Sequence, residues 1–161
     1  MLIHDDTLDR TTSGSGLVCD HTFDEITNLD AGYFFYKSKS TARVPSLNKV
    51  LELITNKNKS INIELKPNKG LERLNVDKIV EEIKNFSLEN IFFSSFDLES
   101  CIYLKEKLPA ALCGFLNDDF SKITLEDTKD ICKKYDCFSC GTDIDSFSDT
   151  VVNELINCGI L

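Results

Sequence analysis

With 161 residues, 42% of them hydrophobic and 28% charged, the chain has the make-up of one globular domain with a buried core, which excludes a disordered or fibrous polypeptide. Its formal net charge of −9 disfavours nucleic acid and anionic membrane surfaces as partners, and no cationic cluster is expected to interrupt that acidic pattern. Seven cysteines, no hydrophobic leader and no apolar run near the ~18 residues that span a bilayer point to reduced thiols in a cytoplasmic protein without a membrane span.

Leu2-Ile3-His4 reads as the end of a strand. Residues 7–44 then form a long, polar, glycine-punctuated excursion. Within it, Thr22-Phe23-Asp24-Glu25 is a capping-box pattern leading into a short helix with Ile26 and Leu29. Pro45-Ser46 opens a helix with Leu47, Val50, Leu51 and Ile54 at helical spacing. A strand over Ile61 to Leu65 is followed by a helix with Val76, Ile79, Val80 and Ile83 on one face. The strand Ile91 to Phe96 leads to Asp97, an N-cap, and a helix bearing Leu98, Cys101 and Ile102. Ala111 to Leu116 is another strand, and Thr124 caps a helix with Leu125, Ile131, Cys132 and Tyr135. Cys137 to Cys140 reads as a short strand, and Ser148 caps a last helix that Gly159 ends. Ile160-Leu161 begins one more strand. Such alternation means a parallel sheet with crossover helices, an α/β fold, and composition leaves an open sheet and a closed barrel as alternatives.

Chemistry concentrates in two places. On a strand, Ile61, Ile63 and Leu65 share one face while Asn62, Glu64 and Lys66 share the other. Both faces of a parallel sheet are normally covered, so a carboxylate beside an ammonium there is either an ion pair, an amphipathic edge or a functional pair. The second place is His4-Asp5, directly after an apolar strand. A histidine at the carboxyl end of a strand sits where barrel enzymes build active sites, and it suits proton transfer near neutral pH, although many histidines are structural. Cys137-Phe138-Ser139-Cys140 has knuckle-like spacing but no second pair to complete four ligands. Alternation along a strand would also send its sulfurs to opposite faces, so packing is the expected role. His21, in the polar excursion, reads as solvated or cap-adjacent.

Taken together, His4-Asp5-x-x-Leu8-x-Arg10-Thr11-Thr12-x-Gly14-x-Gly16, Leu29-Asp30-Ala31-Gly32, Val44-Pro45-Ser46-Leu47, Ile61-Asn62-Ile63-Glu64-Leu65-Lys66 and Ser94-Ser95-Phe96 resemble, in order and spacing, the glycerophosphodiester phosphodiesterases. Each motif alone is common; the ordered set is specific, most of all over residues 3–66. The resemblance implies an incomplete TIM-type (β/α)8 barrel across residues 1–161, with 7–44 as a small insertion after the first strand present. It implies a metal-dependent phosphoric diester hydrolase of lipid metabolism that converts glycerophosphodiesters to glycerol 3-phosphate and an alcohol. His4 would be one of two catalytic histidines acting as general acid and base. Glu64 would be a ligand of a divalent cation, Ca2+ or Mg2+, and Lys66 would steady the phosphoryl oxygens. Asp5 would orient the loop or His4, while Arg10 and Thr11-Thr12 would serve loop structure.

Family members also carry a strand ending in His-Arg-Gly, a Glu-x-Asp pair and a final Trp-Thr-Val-Asn segment. The present sequence contains none of these. The 161-residue polypeptide is therefore expected to hydrolyse little alone, with a degenerate barrel remnant or a phosphate-binding module as the alternatives. Open strand edges before His4 and near Cys137–Cys140 are expected to recruit a companion chain or a second copy.

Overall fold

A computed structural model describes residues 1–161, which divide into two compact units, Met1–Asn58 and Lys59–Leu161.

The first unit is mostly loop. Its helices are α1 (Phe23–Thr27), α2 (Tyr33–Tyr36) and α3 (Leu47–Asn56). The capping box forms as expected: Thr22 accepts from the Glu25 amide and Glu25 reaches back to the Thr22 amide. Ser46 caps α3 by accepting from Lys49 N. Leu8, Ile26 and Val44 form the buried core, with Ile3, Val18, Leu29 and Ala31 packed against it. The expected strand at Leu2–His4 is absent. Leu2 N–H donates instead to the Pro45 carbonyl at 3.0 Å.

Asp30, from the Leu29-Asp30-Ala31-Gly32 motif, ties this unit together. Its carboxylate accepts from Gly32 N at 2.9 Å, Ser40 N at 2.5 Å and Ser40 Oγ, and its backbone exchanges bonds with Ser13. These donors hold the carboxyl below the usual carboxylate range, the Ser40 hydroxyl most of all. Gly32 is buried there, and a Cβ on it would lie 2.5 Å from Ser40 Oγ and 2.9 Å from the Tyr36 ring.

The second unit is a four-stranded parallel sheet in sequence order, the arrangement of a partial TIM-type barrel. It runs β1 (Ile61–Glu64), α4 (Glu72–Ile83), β2 (Ile91–Ser95), α5 (Leu98–Lys107), β3 (Leu112–Leu116), α6 (Leu125–Lys134), β4 (Ser139–Gly141) and α7 (Asp149–Asn157). Asp97, Thr124 and Ser148 are the N-caps, each accepting a backbone N–H of the first turn. Gly159, at φ +75°, takes the left-handed turn after α7. Leu161 then bonds to Phe138 O and Cys140 N, the pattern of a parallel bridge on β4, in line with the strand expected at Ile160-Leu161.

Ile63, Leu65, Phe93, Cys113 and Phe115 are buried on one face of this sheet, where α5 packs on β2 and β3. The strand at Cys137–Cys140 starts two residues later than expected. Cys137 lies in the turn after α6, its N–H bonded to Cys132 O, so strand alternation does not govern where its sulfur points. Cys137 and Cys140 are nonetheless both buried, and burial pushes the Cys140 thiol up to about 11. All seven cysteines are free thiols, and no helix is long and apolar enough to cross a membrane.

Candidate active site

His4 follows the apolar pair Leu2-Ile3 in the first unit. Its Nδ1 lies 2.8 Å from Asp5 Oδ1, and the imidazole is 73% exposed. The same carboxylate accepts twice from Arg10, from Nε at 2.5 Å and Nη2 at 2.7 Å. First the Arg10 hydrogen bonds and then the His4 bond hold the Asp5 carboxyl far below the usual range. A carboxylate so held fixes the orientation of the imidazole through its Nδ1 side. This is the positioning role expected of Asp5. Arg10 gains a specific role beside it, because both its bonds lock the residue that aims the imidazole.

The hairpin that follows is closed by its own polar groups. Leu8 N donates to Gly16 O, Gly16 N to Asp9 Oδ2 and Gly14 N to Thr12 Oγ1, while the buried Thr12 hydroxyl donates to Leu8 O. Thr12 therefore acts as loop structure. His21 Nε2 lies 3.2 Å from Ser15 O in the same hairpin.

Glu64 and Lys66 lie in the second unit. Burial alternates along β1 as expected: Ile63 and Leu65 are buried, and Asn62, Glu64 and Lys66 are exposed. Glu64 and Lys66 are themselves exposed, so placing charges at these positions carries little desolvation penalty, although Ser94 and Gly114 across the same face are buried. The register aligns Glu64 with Ser94, Ser94 with Gly114 and Gly114 with Ser139. Asn62 Nδ2 donates to Ser94 Oγ at 2.9 Å. A Cβ on Gly114 would meet Ser139 Oγ at 2.3 Å, so that hydroxyl lies over the glycine. The outcome is a carboxylate and two hydroxyls in one transverse row. The linear sequence does not disclose this row, because only strand register aligns residues dozens of positions apart. Ser95 of the Ser94-Ser95-Phe96 motif faces the other way: buried, it donates to Leu65 O at 2.6 Å and accepts from Asp97 N, stapling β1 to the start of α5.

No group of three or more His, Cys, Asp or Glu side chains is arranged to hold a metal ion. Ca2+ takes six to eight oxygen ligands and Mg2+ a near-octahedral set, so a single strand-end carboxylate does not fit either cation by itself.

The sequence pattern of the glycerophosphoryl diester phosphodiesterase family matches residues 1–155. A glycerophosphodiester phosphodiesterase of Caldanaerobacter subterraneus subsp. tengcongensis is 38% identical over 117 residues, covering 72% of this chain and 48% of its own length. One from Bacillus altitudinis is 37% identical over 114 residues, covering 67% of this chain and 45% of its own. Among solved structures, an Oleispira antarctica phosphodiesterase in complex with the product sn-glycerol-3-phosphate superposes with a TM-score of 0.89 at 26% identity, over 98% of this chain and 63% of that one. The chain thus spans about half the length of the curated relatives it matches.

Proposed function

The chain belongs to the glycerophosphoryl diester phosphodiesterase family, and from that membership we propose that it is part of a hydrolase cleaving glycerophosphodiesters to glycerol 3-phosphate and an alcohol. The observation that carries this reading is the imidazole of His4 held at Nδ1 by an Asp5 carboxylate that Arg10 grips twice. In the proposed reaction His4 moves a proton at Nε2, as acid or base for an oxygen of the scissile phosphodiester. Lys66 places an ammonium against the phosphoryl oxygens as negative charge builds. Glu64 offers one carboxylate toward a divalent cation. The donor set here does not suffice for that ion, and the remaining ligands would come from outside these 161 residues. β1, an outer strand of the sheet, is where a companion chain or a second copy would add. Seven free thiols favour a reducing compartment such as the cytoplasm.

Two measurements test this reading. The 161-residue polypeptide, supplied with glycerophosphocholine and Ca2+ or Mg2+, should release glycerol 3-phosphate at least about 10²–10⁴-fold more slowly than a full-length relative, the contribution of one missing acid–base group. Turnover at the relative's rate would overturn the proposed incompleteness. Titration with glycerol 3-phosphate, followed by NMR, should shift the His4 ring signals, and Lys66→Met should weaken binding roughly tenfold, as expected for a lost charge-assisted contact. Unchanged affinity in Lys66→Met would remove that residue from the site.

A further inference from the structure

The expectation that no cationic cluster interrupts the acidic chain fails over residues 31–51. That stretch carries Lys37, Lys39, Arg43 and Lys49 and no acidic residue, in a chain of net charge −9. It also opens with four consecutive aromatic residues, all exposed: Tyr33 42%, Phe34 54%, Phe35 83% and Tyr36 62%. Exposed apolar residues scattered singly are ordinary on any protein surface, but four in a row are not.

The geometry makes these rings a projecting knob. Ala31 N donates to Ala42 O, Asp30 and Arg43 form an antiparallel bridge, and the Asp30 carboxylate holds Gly32 and Ser40, so both ends of the loop are pinned. At the tip Tyr33 and Phe34 meet edge to face with centroids 5.3 Å apart, and Phe35 and Tyr36 do the same at 5.0 Å. Lys37, in the left-handed conformation at φ +53°, turns the chain just after them, and Lys37, Ser38 and Lys39 are exposed. Arg43 is tethered to the loop through the Ser40 and Ala42 carbonyls.

We propose that this knob docks the protein on the surface of an anionic lipid bilayer. Phe34 and Phe35 enter the headgroup–acyl boundary, the tyrosines sit at headgroup level, and the exposed Lys37 and Lys39 beside them face lipid phosphates. Charge complementarity selects this occupant over a second copy of the chain. A symmetric contact between two knobs would bring the same lysines together, and the one carboxylate of the loop, Asp30, is already engaged by Gly32 and Ser40. The local positive charge also overcomes the long-range repulsion of the acidic remainder, because salt screens charges beyond roughly 8–10 Å. Lipid docking is independent of hydrolysis: a chain that cleaves nothing would still bind vesicles.

The test is sedimentation with vesicles of phosphatidylcholine alone or mixed with phosphatidylglycerol. Wild type should co-sediment with the anionic vesicles and release as salt rises. Lys37→Gln and Lys39→Gln should each weaken partitioning roughly fivefold, the effect of one basic residue near a charged surface. Phe35→Ser should weaken it about tenfold through lost apolar burial. These side chains are exposed, so circular dichroism should match wild type in all three variants. Wild type remaining in the supernatant with anionic vesicles would overturn the proposal, as would variants that bind equally well. Self-association abolished by Phe35→Ser, with no vesicle binding, would instead assign the knob to a second copy.

Discussion

The two units of this chain draw on the same forces in different proportion. In Met1–Asn58 a small core around Leu8, Ile26 and Val44 is supplemented by exposed or half-exposed polar contacts: Asp5 with Arg10 and His4, Asp9 with Gly16, Glu25 with Thr22, and Asp30 with Gly32 and Ser40. In Lys59–Leu161 the parallel ladder and buried Phe93, Phe115, Leu65, Val76 and Leu104 hold the fold. Exposed charge-assisted contacts contribute little stability each, though they select one loop geometry among many. Apolar burial contributes about 1.5–3 kcal/mol per large side chain. The proton-handling candidate, His4, belongs to the unit defined by polar geometry, while Glu64 and Lys66 project from the unit defined by burial.

Four substitutions or conditions would sharpen or break that contrast. Phe93, fully buried in β2, should lose about 3–5 kcal/mol on Phe93→Ala, seen as a lower urea midpoint for the second unit. A loss below about 1 kcal/mol would mean that burial is not what holds this unit. Buried Asn117 donates to Ile123 O and Thr128 Oγ1, so Asn117→Ala should cost about 1–3 kcal/mol by orphaning both acceptors. Gly32→Ala forces a methyl onto Ser40 Oγ and the Tyr36 ring, and about 1–2 kcal/mol of strain should appear as faster hydrogen exchange confined to residues 30–43. Exchange spreading through the strands would contradict the independence of the two sets of forces.

The smallest effect is acid. Asp5, Glu25 and Asp30 have carboxyls held below their ordinary values, by Arg10, by Thr22 and by Ser40 respectively. A folded pKa below the unfolded one, near 4 for these carboxyls, contributes stability that is fully present above the unfolded value and is lost as pH falls from there through the lower folded value. The amides held by these carboxylates, Thr22 N–H by Glu25 and Gly32 and Ser40 N–H by Asp30, should therefore lose protection as pH falls below about 4, before the strands do. Asp119, held to about 2 by Ser121 and Lys122, fixes only a turn in the second unit. If the strands exchanged first, the contrast would fail.

Much was legible without coordinates, for a local reason. Thr22, Ser46, Asp97, Thr124 and Ser148 are caps whose partners lie within three residues, so the sequence carries both halves of each bond. The alternating faces of β1 and the stop at Gly159 follow from the same short range. Five ordered motifs likewise sufficed to identify the family. Only tertiary structure could reveal that Leu2–His4 finds no ladder, that Asp30 joins Ser13 and Ser40, and that Ser139 lies over Gly114. It also decided that Glu64 and Lys66 meet solvent. Pairing, register and burial are properties of residues far apart in the chain, and no window of sequence contains both partners.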